Sequence, residues 1–473
     1  MKQTEQKIRA GARARADLTQ GSPAKSLLWF AFPLIVGNLF QQFYNMADSM
    51  IVGNFVSEDA LAAVGASYAL TTVFIMIAIG GGNGAAVLTS QYLGAGRYRK
   101  LRTSVSTALI TFLGVSMVLG LAGQLLNHRI LTALRTPENV LAQAELYLGI
   151  YFMGLPFLFM YNVLASVFNA LGDSRTPLYL LIFSSLLNVV FDILSVTWLG
   201  MEVDGVAIAT VMAQGISACI SFGLLLKKLR GYPLKDAGEE PESEEEKEEP
   251  VRAPLFDGQM LIAGTRIAVP TILQQSIVSI GMLLVQSVVN DFGSAALAGY
   301  SAGSRIESIC VVPMIGTGNA VATFTAQNMG AGDTGRVRLG YRASYGIIAV
   351  FAVVTAVILT GFNRPIIAGF LGGAPSPEAL ATGTGYLSFI AFFVILLGAK
   401  ACSDGVLRGS GDVLVFTLGN LVNLAIRVTA AFTLAPVVGV AAVWYAVPIG
   451  WLVNYLISFS RYLTGRWMRK RVI

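Results

Sequence analysis

Charge is what this sequence has least of. Only 13% of its 473 residues are Asp, Glu, Lys or Arg, about half of the roughly one quarter found in soluble chains. Histidine is nearly missing too: the single copy, His128, falls in a stretch read as a loop, so no histidine-based metal site can be assembled. Cys219, Cys310 and Cys402 sit in separate apolar runs without shared spacing. That scatter excludes a zinc cluster and a disulfide framework, and leaves them as small hydrophobes in packing. Clustered His and Cys motifs and paired catalytic carboxylates are also lacking, so the sequence reads as a non-enzyme that needs no cofactor.

What is present is apolar. Hydrophobic residues make up 55% of the chain, and runs such as 105–123 and 178–192 approach the ~20 residues that cross a bilayer. Apolar windows between loop signals place twelve helices at 26–52, 61–87, 101–124, 141–168, 177–199, 205–227, 260–289, 296–320, 337–360, 380–404, 413–435 and 439–461. The expected fold is an all-α polytopic membrane protein. Of the 33 basic residues, Arg305, Lys400 and Arg427 lie within spans and Arg129, Arg135 and Arg364 in odd-to-even loops. All the others lie in the termini, in even-to-odd loops or at their membrane edges. Basic loops stay inside, so both termini are expected in the cytoplasm, in a multi-pass protein of the cell membrane. The net charge of +6 then reflects membrane-flanking loops, with no nucleic-acid partner.

The acidic run from Gly238 to Pro250 cannot bury apolar surface and repels itself, as an extended linker would. It divides the chain into a cytoplasmic N-terminal segment at 1–25, an N-lobe at 26–229, the linker at 230–258, a C-lobe at 259–461 and a basic tail at 462–473. The two halves repeat one another. Asn54 and Asn290 are 236 residues apart, as are Asn83 and Asn319, and at the same offset Gln91-Tyr-Leu-Gly-Ala-Gly96 returns as Gln327-Asn-Met-Gly-Ala-Gly332. Leu171-Gly-Asp173 returns near Gly411-Asp412. Six spans per half is an even number, so the relating pseudo-two-fold axis runs along the membrane normal. Two six-helix lobes on such an axis suit alternating access; a duplicated channel, a membrane enzyme, or a receptor or scaffold are the rival readings.

Ionisable residues inside spans are costly and therefore informative. Asn38, Gln41, Asn45 and Asp48 follow one another at steps of three, four and three on one face of the first span. Asn188 and Asp192 share a face of the fifth. At ~1.5 Å per residue Asp192 lies ~22 Å above the cytoplasmic start of its span, near the depth of Thr210 in the sixth. Asp48, Asn188, Asp192 and Thr210 therefore form a candidate cation site whose hard oxygens suit Na⁺, and in which paired carboxylates raise each other's proton affinity. A buried hydrogen-bond network tying three helices is the structural alternative. In the second half Lys400 and Asp404 are four apart and can neutralise each other, and Arg427 is a candidate partner for Glu307. Those groups either pair structurally or bind an anionic substrate. Asn38, Gln41, Asn45, Gln274, Gln275, Arg305, Glu307, Lys400 and Arg427 are the candidate substrate-cavity residues.

The stretches Val52-Gly-Asn-Phe-Val-Ser-Glu-Asp-Ala-Leu61 and Phe168-Asn-Ala-Leu-Gly-Asp-Ser-Arg-Thr-Pro177, with the paired Gln-x-x-Gly-Ala-Gly loops, resemble the multidrug and toxic compound extrusion (MATE) family. The likeness is nearer to its DinF-like and MepA-like branch than to the NorM-like one. It implies an H⁺- or Na⁺-coupled antiporter, a monomer among membrane lipids, exporting small amphipathic molecules. Asp48, Asn188, Asp192 and Thr210 match the first-lobe cation positions of that branch. A flippase-like exporter of a lipid-linked or anionic precursor is the alternative.

Overall fold

The computed structural model describes residues 18–55, 58–134, 136–233, 236, 253–372 and 375–473, with the side chains of 46–55, 58–61 and 69 excepted. Most of the acidic linker, Arg135, the first seventeen residues and the side chain of Asp48 lie outside the described residues. The helices are α1 (Pro23–Phe55), α2 (Glu58–Gly94), α3 (Tyr98–Ala133), α4 (Glu138–Ala170), α5 (Arg175–Thr197), α6 (Val203–Arg230), α7 (Gly258–Asn290), α8 (Ser294–Cys310), α9 (Val312–Gly330), α10 (Thr334–Gly361), α11 (Asn363–Leu371), α12 (Pro377–Ala391), α13 (Val394–Ser410), α14 (Val413–Val438) and α15 (Ala441–Leu463). Among the described residues, eleven segments are each long and apolar enough to cross a membrane, with α8 and α9 together forming one of them. The pair α12–α13, bent by 54°, brings the number to twelve.

Three local expectations are corrected. His128 is helical, because no Gly or Pro lies between Gly123 and Pro137 to stop α3, and buried Leu131 keeps the helix on its neighbours. Its Nδ1 lies 2.5 Å from Glu145 Oε1 of α4, beside the bond from Asn127 to the Glu145 carbonyl (2.8 Å). The eighth span breaks at Val311, just before Pro313, whose ring supplies no N–H and clashes with the preceding turn. The tenth breaks between Ala391 and Val394 with no Gly or Pro to announce it. Between the ninth and tenth, the short helix α11 carries Pro365 in its first turn, where proline is tolerated, and buries Ile367.

By packing, the chain separates into two compact units. One comprises Met1–Asn38 with Leu273–Ile473, the other Leu39–Ile272, so the divide falls inside α1 and α7. In the second of these, Phe74 of α2 meets Phe152 of α4 edge-on at 5.6 Å over the fully buried Leu148, Leu155 and Phe159. Val118, Leu121 and Leu125 of α3 are exposed, as apolar residues are where the solvent is lipid. In the first, α9 and α13 touch through glycine: a Cβ on Gly405 would lie 2.5 Å from the Gly318 carbonyl oxygen. Small residues at such crossings let backbones approach and gain dispersion contacts, which is what holds helices together in lipid.

The repeated motifs end their helices in the same way. Gly96 (φ 68°) and Gly332 (φ 77°) are left-handed, with Arg97 N–H closing on the Tyr92 carbonyl (3.1 Å) and Asp333 N–H on that of Asn328 (2.9 Å). Glycine takes this conformation without a Cβ penalty. Gly172 (φ 75°) and Gly411 (φ 93°) do likewise after α4 and α13. The aspartate after each is then clasped by the end of a later helix: Lys228 to Asp173 at 2.7 Å, Arg461 to Asp412 at 2.5 Å.

Candidate functional site

In the unit Leu39–Ile272, α5 turns its polar side inward. Ser184, Ser185, Asn188, Asp192 and Ser195 are buried, whereas Leu186, Val190 and Ile193 are exposed. A membrane helix that hides its amides and acids and shows its leucines lines something polar. Asn188 is the joint: its Oδ1 accepts the Tyr44 hydroxyl of α1, and its Nδ2 donates to Thr210 Oγ1 of α6 at 3.3 Å. Thr210 donates in turn to the Val206 carbonyl at 3.0 Å. Asp192, one turn beyond Asn188, is 0% exposed. The structure thus brings Asn188 and Thr210 into contact, puts Asp192 on the same buried face, and leaves the Asp48 side chain outside the described residues. Tyr44 was missed by the sequence reading, although it continues the polar face between Gln41 and Asp48 at steps of three and four.

The other candidates are distributed. Gln41 donates to Asn45 at 2.9 Å along α1. Asn38, on the same helix, belongs to the other packing unit. Gln274 is buried on α7 and Gln275 half-buried beside it. Arg305 is exposed.

Lys400 of α13 pairs with Asp404 at 3.0 Å and donates to Asn420 Oδ1 of α14 at 2.7 Å. Asp404 also accepts from Ser458 of α15 at 2.6 Å and from Asn420 Nδ2 at 3.3 Å. Arg408 reaches Asn319 Oδ1 of α9 at 2.6 Å. Asn420 and Ser458 had no place in the sequence reading, their only signal being polarity inside apolar runs, and Arg408 falls in the loop expected between the tenth and eleventh spans. Glu307 accepts a hydrogen bond from the Tyr386 hydroxyl of α12, and no ion pair joins it to Arg427 among the described residues.

Two segments, residues 33–194 and 270–433, each match the MatE family model. The chain belongs to the MATE family. The doubled match has the period of the repeated motifs. The transporter is 30% identical over 453 residues to the probable multidrug resistance protein YpnP of Bacillus subtilis, covering 95% of this chain and 97% of that one. It is 29% identical over 459 residues to the probable multidrug resistance protein YoeA of the same organism, at 95% of both. Among solved structures it resembles a MOP superfamily transporter from Pyrococcus furiosus described by the reverse polarity of its binding pocket, with a TM-score of 0.83, 21% identity and coverage of 96% and 97%. As a member of this family the chain is a multi-pass membrane transporter of the multidrug efflux type, and not an enzyme.

Proposed function

We propose that this transporter is a secondary active exporter driven by H⁺ or Na⁺, with Asp192 as the principal coupling acid and Asp48, Asn188 and Thr210 as its companions. The observation that carries the reading is the burial of Asp192 one turn from Asn188, whose amide joins α1 to α6. Asp48 follows Tyr44 by one turn of α1. Carboxylate, amide and hydroxyl oxygens are the donors a hard monovalent cation takes, and two neighbouring carboxylates hold a proton as readily. Cation entry would exchange the Tyr44–Asn188–Thr210 bonds for bonds to the ion. That shifts α1 against α5 and α6 and couples loading to the alternation between openings. Both termini face the cytoplasm, the monomer is the working unit, and the cargo is a small amphipathic molecule.

A second reading, export of an anionic or lipid-linked precursor, is favoured by the basic residues of α8, α13 and α14 and by the likeness to the Pyrococcus transporter. It is weakened where Lys400 is neutralised by Asp404 and Asn420, which leaves Arg305 and Arg427 for an anion. The test is efflux from proteoliposomes with Na⁺ and H⁺ gradients imposed separately. One of the two gradients is expected to drive uphill efflux of a cationic dye; indifference to both would overturn the reading.

A further inference from the structure

The unit that holds residues 273–473 contains a second acid of its own. Glu307 lies on α8 about 20 Å from its start at Ser294, at ~1.5 Å per residue. An ionised carboxylate well inside a ~30 Å hydrocarbon layer is costly unless it is held. One hydroxyl holds it, that of Tyr386, whose ring is 1% exposed between Tyr300 (5.5 Å) and Trp444 (5.6 Å). Tyr386 packs on the bare face of Gly303, so the donor is fixed against the helix that carries the acceptor.

The titratable and charged groups that act on this centre are Tyr300 and Cys310 of α8, Tyr386 of α12 and Arg427 of α14. Arg427 attracts Glu307, yet its Nε is buried and has no acceptor among the described residues. A buried N–H without a partner is costly, so this Nε–H has room for an acceptor that another state can supply. Glu307 is an acid on which Arg427 acts electrostatically. Both helices that meet at the acid also break just beyond it. Val311 N–H closes on the Glu307 carbonyl at 2.9 Å where α8 ends, and α12 ends at Ala391 before the 54° bend into α13.

We propose that Glu307 is a proton-binding site, in which the protonated carboxyl rests on Tyr386 and the ionised carboxylate turns to Arg427. On ionisation the carboxyl O–H bond breaks, the proton passes to water, and the electron pair stays on the carboxylate, which then accepts Arg427 Nε–H. Proton uptake reverses each step. The exchange moves a hydrogen bond from α12 to α14 at the level of the two helix breaks, so proton occupancy biases the bend of the tenth span. It goes beyond coupling at Asp192, because none of its groups comes from α1, α5 or α6.

The experiment is pH-difference infrared spectroscopy of the full-length protein in lipid nanodiscs, with circular dichroism checking that each variant is folded. One protonated-carboxyl band that vanishes as pH rises is expected to be lost in Glu307→Gln, displaced in frequency in Tyr386→Phe, and retained in Asp192→Asn. Arg427→Gln removes the partner of the ionised form, so the band should persist to higher pH; a purely structural arginine would leave that midpoint unmoved. The proposal is overturned if Glu307→Gln keeps every titrating band, if Asp192→Asn removes the band in question, or if Arg427→Gln leaves the midpoint unchanged. Failure here leaves the Asp192 reading standing, since that reading is judged by flux.

Discussion

Two buried aspartates, Asp192 of α5 and Asp404 of α13, receive opposite treatment on a duplicated scaffold. Asp404 has Lys400 one turn earlier on its own helix, and the pair is completed by Asn420 and Ser458. Asp192 has Asn188 at the same spacing. The Lys and Arg residues of α1, α5 and α6 (Lys25, Arg175, Lys227, Lys228 and Arg230) all lie at the ends taken as cytoplasmic. An acid that carries its own cation has nothing to exchange. Asp192 shares its buried face with Ser185, Asn188 and Ser195, the setting in which we propose that a cation or proton is exchanged. Asp192 lies on the fifth span and Asp404 on the tenth, so the two are not counterparts in the repeat; what distinguishes them locally is the residue one turn before the acid, asparagine at Asn188 and lysine at Lys400.

The sharpest way to break this comparison is to remove the tethered cation. Lys400→Met leaves Asp404 buried at 6% exposure without its counter-charge, and removing one member of a buried pair costs about 3–5 kcal/mol. Thermal unfolding in detergent should show that loss, and adding Asp404→Asn should recover much of it. If the single variant is as stable as the parent, the pair is not the structural element described here.

A smaller effect separates the clasps at the helix ends. Burial works to raise the Asp173 carboxyl pKa, but attraction and hydrogen bonding from Lys228, with bonds from the Thr176 N–H and hydroxyl, hold it below its ordinary 3.8. A depressed folded value means that the stabilisation is complete above the unfolded pKa of about 3.9 and is lost as pH falls through the lower folded one. For a partly exposed pair this amounts to about 1 kcal/mol or less. Asp173→Asn should therefore lower the melting temperature at neutral pH by a few degrees at most and flatten its decline on acidification. An unchanged acid limb would show that the clasp contributes nothing.

The twelve spans, their loops and the repeat were legible because a bilayer imposes length and polarity on every crossing, and because Gly96, Gly332, Gly172 and Gly411 end helices by a backbone rule visible in sequence. The break of the tenth span was not legible: Phe392 and Phe393 carry no helix-breaking chemistry, and the bend depends on packing between distant segments. The helical state of His128 was misread because polarity was taken for a loop signal where only glycine or proline would have stopped the helix. The face shared by Asn188 and Asp192 followed from spacing alone. Tyr44, Asn420, Ser458 and Tyr386 did not, since a hydroxyl or amide in an apolar run gains meaning only from a partner that is remote in sequence.

The central claim is that Asp192 couples transport and Asp404 does not. Gradient-driven dye efflux from proteoliposomes should be compared between Asp192→Asn and the double replacement Lys400→Met with Asp404→Asn, both confirmed as folded. The account predicts that Asp192→Asn abolishes uphill efflux while the double replacement still follows the imposed gradient. Full gradient-driven efflux by Asp192→Asn would contradict it.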